Sequence, residues 1–115
     1  MPPVVASYSF GMIVVDGRQY TSDLIIRPDD VVAGWWRKQG HVLEWPDLAA
    51  AIEVNPEVLI VGTGAAGAMR VADEVRERAS RMGLELMVET TARAVETYNR
   101  VAPQKRAVAA LHLTC

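Results

Sequence analysis

The hydrophobic pattern changes period near the middle of the chain. Before residue 56 the apolar positions fall in short runs broken by turn residues. After it they alternate between the two-residue period of strands and the 3.6-residue period of helices. Met12–Val15 is apolar, Asp16-Gly17 supplies a two-residue turn that accepts positive φ, and Arg18–Thr21 returns, which predicts a β-hairpin. Ser22–Arg27 predicts a further strand, ended by Pro28-Asp29-Asp30. Val31–Arg37, carrying the adjacent Trp35 and Trp36, predicts another, after which Gly40-His41 turns the chain. Pro46-Asp47 predicts a short helix running to Ile52, with Asp47 as its cap.

In the second half, Val58–Val61 is a continuous apolar run between Pro56 and Gly62, the signature of a strand buried on both faces. Ala68, Ala72, Val75, Ala79 and Met82 then recur at helical spacing, and Gly83 ends that helix. Glu74 with Arg78 and Glu77 with Arg81 stand at i,i+4 on its polar side. Leu84–Val88 predicts a second buried strand. Thr91 is placed to cap a last helix whose inner face is Ala94, Val95, Tyr98 and Val101, with Pro103 stopping it. Ala107–Leu111 predicts the final strand. A strand-helix-strand unit makes its strands parallel through a right-handed crossover. The expected fold is therefore α/β: one domain over residues 1–115, a central mixed β-sheet with an N-terminal β-hairpin region and a C-terminal β-α-β-α-β unit.

Composition narrows the function classes. The chain has 115 residues, half of them hydrophobic, a formal charge of −2 and no basic stripe. Nucleic-acid binding, which needs several phosphate contacts at once, is not expected. No apolar run approaches the roughly 20 residues that span a bilayer, so no membrane partner is expected. The start, Met1-Pro2-Pro3-Val4, does not read as a targeting segment, and the lone Cys115 suits a reducing compartment, so a cytoplasmic location is expected.

One loop invites a chemical reading. Gly62-Thr63-Gly64-Ala65-Ala66-Gly67 follows a predicted strand, is expected to open a helix, and has Glu89 at the end of the next predicted strand. In that setting glycines let backbone approach a phosphate, and the helix terminus offers free N–H groups. Three features count against a dinucleotide: there is one such unit rather than two, Glu89 lies beyond the usual spacing of about 20, and the earlier strands do not alternate with helices. The competing readings are a tightly packed turn and a small anion at the helix terminus. For the anion, Gly62, Thr63, Gly64, Gly67, Thr90 and Tyr98 are the candidate ligand-binding residues.

The remaining polar residues form no recognisable catalytic set. His112 and Cys115 are two ligands where zinc needs three or four, so neither a metal nor a cofactor is expected. Asp23 and His41 lack a visible partner, and a structural hydrogen bond is the better expectation for each. Trp35 and Trp36, adjacent on a strand, must face opposite ways, so one enters the core and the other is available to a partner.

Ser7-Tyr8-Ser9-Phe10-Gly11, Asp23-Leu24-Ile25-Ile26, Trp36-Arg37-x-x-Gly40-His41, Gly62-Thr63-Gly64, Thr90-Thr91, Ala94-Val95, Tyr98-Asn99 and His112-Leu113-Thr114-Cys115 occur in this order. In order and spacing they resemble the small domain-of-unknown-function family that contains the mitochondrial complex I assembly factor and the adipogenesis-associated Mth-type domain protein. The ending His-x-Thr-Cys is more similar to the second branch. The resemblance implies a compact α/β fold and, from its mitochondrial branch, an assembly role. It carries over no catalytic residue, and without an Arg- and Ser-rich presequence the mitochondrial role is not expected here. The leading expectation is a non-enzymatic protein-binding or assembly module, acting on a protein partner or on a second copy around Trp35 and Trp36. The alternative is a binder or enzyme for a small anion or nucleotide at Gly62–Gly67.

Overall fold

The computed structural model describes residues 1–115. Ten strands, three helices and one 3-10 turn follow one another. They are β1 (Val5–Ser9), β2 (Met12–Val15), β3 (Arg18–Tyr20), β4 (Leu24–Ile26), β5 (Val31–Ala33) and β6 (Val42–Leu43). A 3-10 turn, Trp45–Leu48, runs into α1 (Ala49–Ile52). Then come β7 (Val58–Thr63), β8 (Arg70–Val71), α2 (Asp73–Met82), β9 (Glu85–Glu89), α3 (Thr91–Val101) and β10 (Ala107–His112).

A five-stranded sheet in the order β5-β4-β10-β7-β9 organises the molecule. β10 lies at its centre, antiparallel to β4 and parallel to β7, and β9 is parallel to β7. The sheet is therefore mixed, as the pattern predicts. Alternation of side chains sorts its residues between two cores. Leu24, Ile26, Ile60, Ala109 and Leu111 pack with Ala94, Val95 and Tyr98 of α3 and with Val5, Ile13 and Val15. Ile25, Leu59, Val61, Val108 and Ala110 pack on the opposite face with Val75 and Ala79 of α2, Leu48, Ala51 and Trp35. Burial on both faces explains why β7 and β10 read as unbroken apolar runs.

The predicted hairpin is present: β2 and β3 pair antiparallel, with Asp16 and Gly17 both at positive φ. With β1, which carries only one fully buried residue and gives little period-two signal, they form a separate three-stranded sheet.

Several boundaries differ from the expectations. The strand expected over Val31–Arg37 stops at Ala33, because Gly34 takes φ 66° and redirects the chain; Trp35 and Trp36 lie outside any strand. The helix expected from Ala68 begins at Asp73. The intervening residues instead form β8, which pairs parallel with β6, and place Ala72 at the N-cap. Met82 faces solvent rather than the core. Glu74 and Arg78 approach to 3.4 Å, whereas Glu77 and Arg81 form no ion pair. The second buried strand is a half-exposed sheet edge, β9. Asp47 is the third residue of its turn, reaching back to accept from the Glu44 N–H at 2.9 Å. Thr90, not Thr91, holds the N-cap of α3. No helix is long and apolar enough to cross a membrane.

Candidate functional site

Charged and polar side chains converge where β10 ends. Asp23 immediately precedes β4, and the antiparallel pairing of β4 with β10 brings it beside His112 and Leu113. Asp23 Oδ1 accepts from the Leu113 N–H at 2.7 Å. Its Oδ2 accepts from Arg37 Nη2 at 2.8 Å and lies 2.8 Å from His112 Nδ1. Arg37 is delivered by residues 34–41, an irregular strap that crosses this end of the sheet. The strap is fastened by the Trp35 N–H to the Asp23 carbonyl (2.9 Å), by Trp35 Nε1 to the Asp47 carbonyl (2.8 Å) and by Arg37 Nη2 to the Gly40 carbonyl (2.9 Å). The guanidinium also lies over the Trp35 ring, 4.7 Å from its centre.

His112 Nδ1 stands between two groups that ask opposite roles of it. Arg37 Nη2 is 3.1 Å away, and a guanidinium only donates; Asp23 Oδ2 is 2.8 Å away, and a carboxylate only accepts. With a proton on Nδ1 the ring donates to Asp23; without one it accepts from Arg37, and Nε2 takes the opposite role in the neutral ring. That Nε2 is buried and has no partner, as is Arg37 Nη1. His112 and Arg37 are 6 % and 7 % exposed, so these groups are enclosed by the fold. The exposed His41 ring meets the His112 ring edge-on, 5.8 Å between centres.

Burial is the largest single influence on Asp23 and opposes its ionisation. The hydrogen bonds from His112, the Leu113 N–H and Arg37 together outweigh it and hold the carboxyl below the usual carboxylate range. Tyr8, whose hydroxyl donates to the Leu113 carbonyl at 2.9 Å, has its phenol pushed up by burial and by the Asp23 charge. No surface cleft is lined by Asp23, Arg37 or His112.

The glycine loop is spent on packing. A Cβ at Gly62 would lie 2.8 Å from both Leu111 Cδ2 and Thr91 Oγ1, so this glycine lets α3 sit close against β7. Gly64, at φ 106°, has the Cys115 backbone against it: a Cβ there would lie 2.3 Å from the Cys115 carbonyl carbon. The Ala65 N–H donates to the Thr114 carbonyl (2.6 Å) and the Ala68 N–H to the Cys115 carbonyl (2.9 Å). The chain's own residues therefore take the loop N–H groups that an anion would use. The expectation that the loop opens a helix is corrected, since α2 starts well beyond Gly67.

The other candidates separate. Thr63 Oγ1 donates to the Glu89 carbonyl at 3.0 Å, and Thr90 lies beside Gly67. Tyr98 is buried away from the loop, its hydroxyl donating to the Pro3 carbonyl at 2.8 Å. Trp35 is a core residue, whereas Trp36 is 77 % exposed. The missed residue is Thr91, fully buried, whose Oγ1 accepts from the Gly64 N–H (2.9 Å) and donates to the His112 carbonyl. The missed pairing is Arg37 with Asp23. A buried arginine leaves no trace in a hydrophobic pattern, and only the strap's path makes it a neighbour of residue 23.

A second exposed aromatic belongs to the same end of the molecule. Phe10, 65 % exposed, sits in the β1–β2 turn, and the next residue, Gly11, donates its N–H to the Leu113 carbonyl at 2.8 Å. Phe10 and Trp36 thus each precede a residue tied to this end of the sheet: Gly11 bonds Leu113, and Arg37 bonds Asp23, which itself accepts from the Leu113 N–H.

Comparison with known proteins places this arrangement in context. Residues 5–113 match a family described as a protein of unknown function, DUF498/DUF598. A conserved hypothetical protein of Pyrococcus horikoshii is similar in structure, with a TM-score of 0.82 at 23 % identity over 96 % of this chain and 98 % of that one. A Bordetella parapertussis protein gives 0.70 at 28 % identity, covering 96 % and 94 %. A Bordetella pertussis protein described as an Mth938-like domain gives 0.59 at 23 % identity, covering 96 % and 85 %.

Proposed function

Because the chain belongs to the DUF498/DUF598 family, whose description carries no activity to transfer, we propose its function from its own surface: a protein-binding or assembly module that engages its partner through Phe10 and Trp36. The observation that carries this reading is the pair of exposed aromatic residues whose next residues, Gly11 and Arg37, are bonded to Leu113 and Asp23 at one end of the sheet. Aromatic side chains supply much of the binding energy at protein interfaces, where they fill apolar pockets on the partner. The partner expected is a protein offering an apolar groove for two rings. The resemblance to a family containing a complex I assembly factor supports an assembly role. A cytoplasmic site of action, suggested by the single cysteine, is part of the same proposal.

The alternative, a small anion at Gly62–Gly67, finds less support, because Thr114 and Cys115 occupy the loop's inner side.

The test is photo-crosslinking in the native cell with benzoylphenylalanine at position 36, and at position 100 on the exposed side of α3 as the control. A discrete adduct at 36 that disappears with Phe10→Ser is expected. An adduct of twice the chain mass would make the partner a second copy. No adduct at 36 above the control would overturn the reading.

A further inference from the structure

Asp23, Arg37 and His112 form a buried cluster whose charges sum to zero while His112 is neutral. Once protonated, the ring carries an N–H on both Nδ1 and Nε2. Nε2 is buried and has no partner, so its N–H would have no acceptor. The added charge would also stand beside a guanidinium whose Nη2 is already 3.1 Å from the ring. One carboxylate oxygen would then serve two cations inside the fold. Buried charges without compensating partners are costly, and the structure can relieve this one by letting water in. The groups facing His112 are Asp23 from the start of β4, Arg37 and His41 from the strap, and Tyr8 of β1 across the Leu113 carbonyl. The element able to yield is the strap, which has no strand pairing along Trp35–Lys38 and is held against the sheet by Arg37 together with Trp35.

We propose that His112 is a proton-operated latch: protonation of its ring frees Arg37 from Asp23, loosens residues 34–41 and so displaces Trp36. Its consequence for partner binding rests on the function proposed above; the latch itself does not. Mild acid then weakens the partner contact by disordering one of its two aromatic anchors.

The test is hydrogen exchange of the Trp35 N–H, which donates to the Asp23 carbonyl, measured between pH 7.5 and 5 beside the Ala109 amide of β10. His112 and His41 are titrated in the same samples through their ring nitrogens. If opening takes up one proton, Trp35 protection relative to Ala109 falls by up to about tenfold per pH unit as pH is lowered towards the His112 midpoint and levels off below it. The fall is expected to be lost in His112→Gln and retained in His41→Gln. Should His112→Gln not fold, the wild-type midpoints decide, because the fall must track His112 and not His41. Constant protection while His112 titrates, or a fall that follows His41, overturns the latch. Constant protection with crosslinking at position 36 intact strikes the latch alone. A pH-dependent strap with no crosslink strikes only the proposed function.

Discussion

His112 Nδ1 lies 2.8 Å from Asp23 Oδ2, joining the end of the central strand to the start of its antiparallel neighbour through side chains as well as through the backbone ladder. Arg37 shares that carboxylate oxygen.

Asp23→Asn removes the charge that balances buried Arg37, and a loss of about 3 kcal/mol is predicted at neutral pH. The sign of the pH effect follows from the depressed carboxyl. Its stabilisation is complete above the unfolded value of about 3.9 and disappears as pH falls through the lower folded value. Urea unfolding of both proteins at pH 7 and near pH 2.5 checks this. The gap between them should narrow in acid, and an unchanged gap contradicts the assignment.

Gly64→Ala is predicted to destabilise the fold by about 2–4 kcal/mol, combining a φ of 106° with a clash against Cys115 backbone. The same change at Gly40, where a Cβ meets nothing, should cost less than about 1 kcal/mol. Thermal unfolding of the pair measures the difference, and equal effects would mean that the C-terminal residues do not seat on the loop.

Thr91→Val keeps the shape of the side chain and leaves the Gly64 N–H without an acceptor. A cost of about 2 kcal/mol is predicted, with Thr91→Ser restoring most of it. Denaturant midpoints decide between this and a purely apolar role, for which valine would be harmless and serine the damaging change.

The two tryptophans should separate cleanly. Trp35→Ala empties a core position and breaks the bond to the Asp47 carbonyl, costing about 3–5 kcal/mol. Trp36→Ala should leave stability within about 0.5 kcal/mol and abolish the partner contact. Unfolding curves together with crosslinking from a probe placed at Phe10 in each background test both statements.

Much of the architecture was legible because it rests on local pattern. Val58–Val61 and Ala107–Leu111 declare a doubly covered sheet, Asp16-Gly17 declares a hairpin, and Gly83 stops α2 with φ 71°. The site was less legible because it is assembled from positions remote in sequence. Residues 23 and 112 lie 89 positions apart, and 37 and 112 lie 75 apart. Of the readings open for the glycine loop, the packed turn fits the structure, and the expectation that the loop opens a helix does not. Its spacing is that of a phosphate cradle, but β8 intervenes before α2, and the inner side of the loop is taken by Thr114 and Cys115. That Trp35 and Trp36 face different ways was legible, but not which of them is outward: Trp35 is buried and Trp36 exposed, on a segment that follows the positive φ of Gly34 and is no strand.

The place of β10 also sets a timetable for biosynthesis. β4 and β7 do not pair with each other; each pairs with β10, so the two halves of the sheet stay unjoined until residues 107–112 have left the ribosome. Until then Leu24–Ile26 and Val58–Thr63 present unpaired apolar edges of the kind that chaperones shield and that aggregate when unshielded. Nascent chains stalled with residue 106 just emerged should therefore be protease-sensitive throughout, and those stalled after residue 115 resistant. A resistant β1–β5 fragment in the shorter chains would show that the N-terminal half closes by itself.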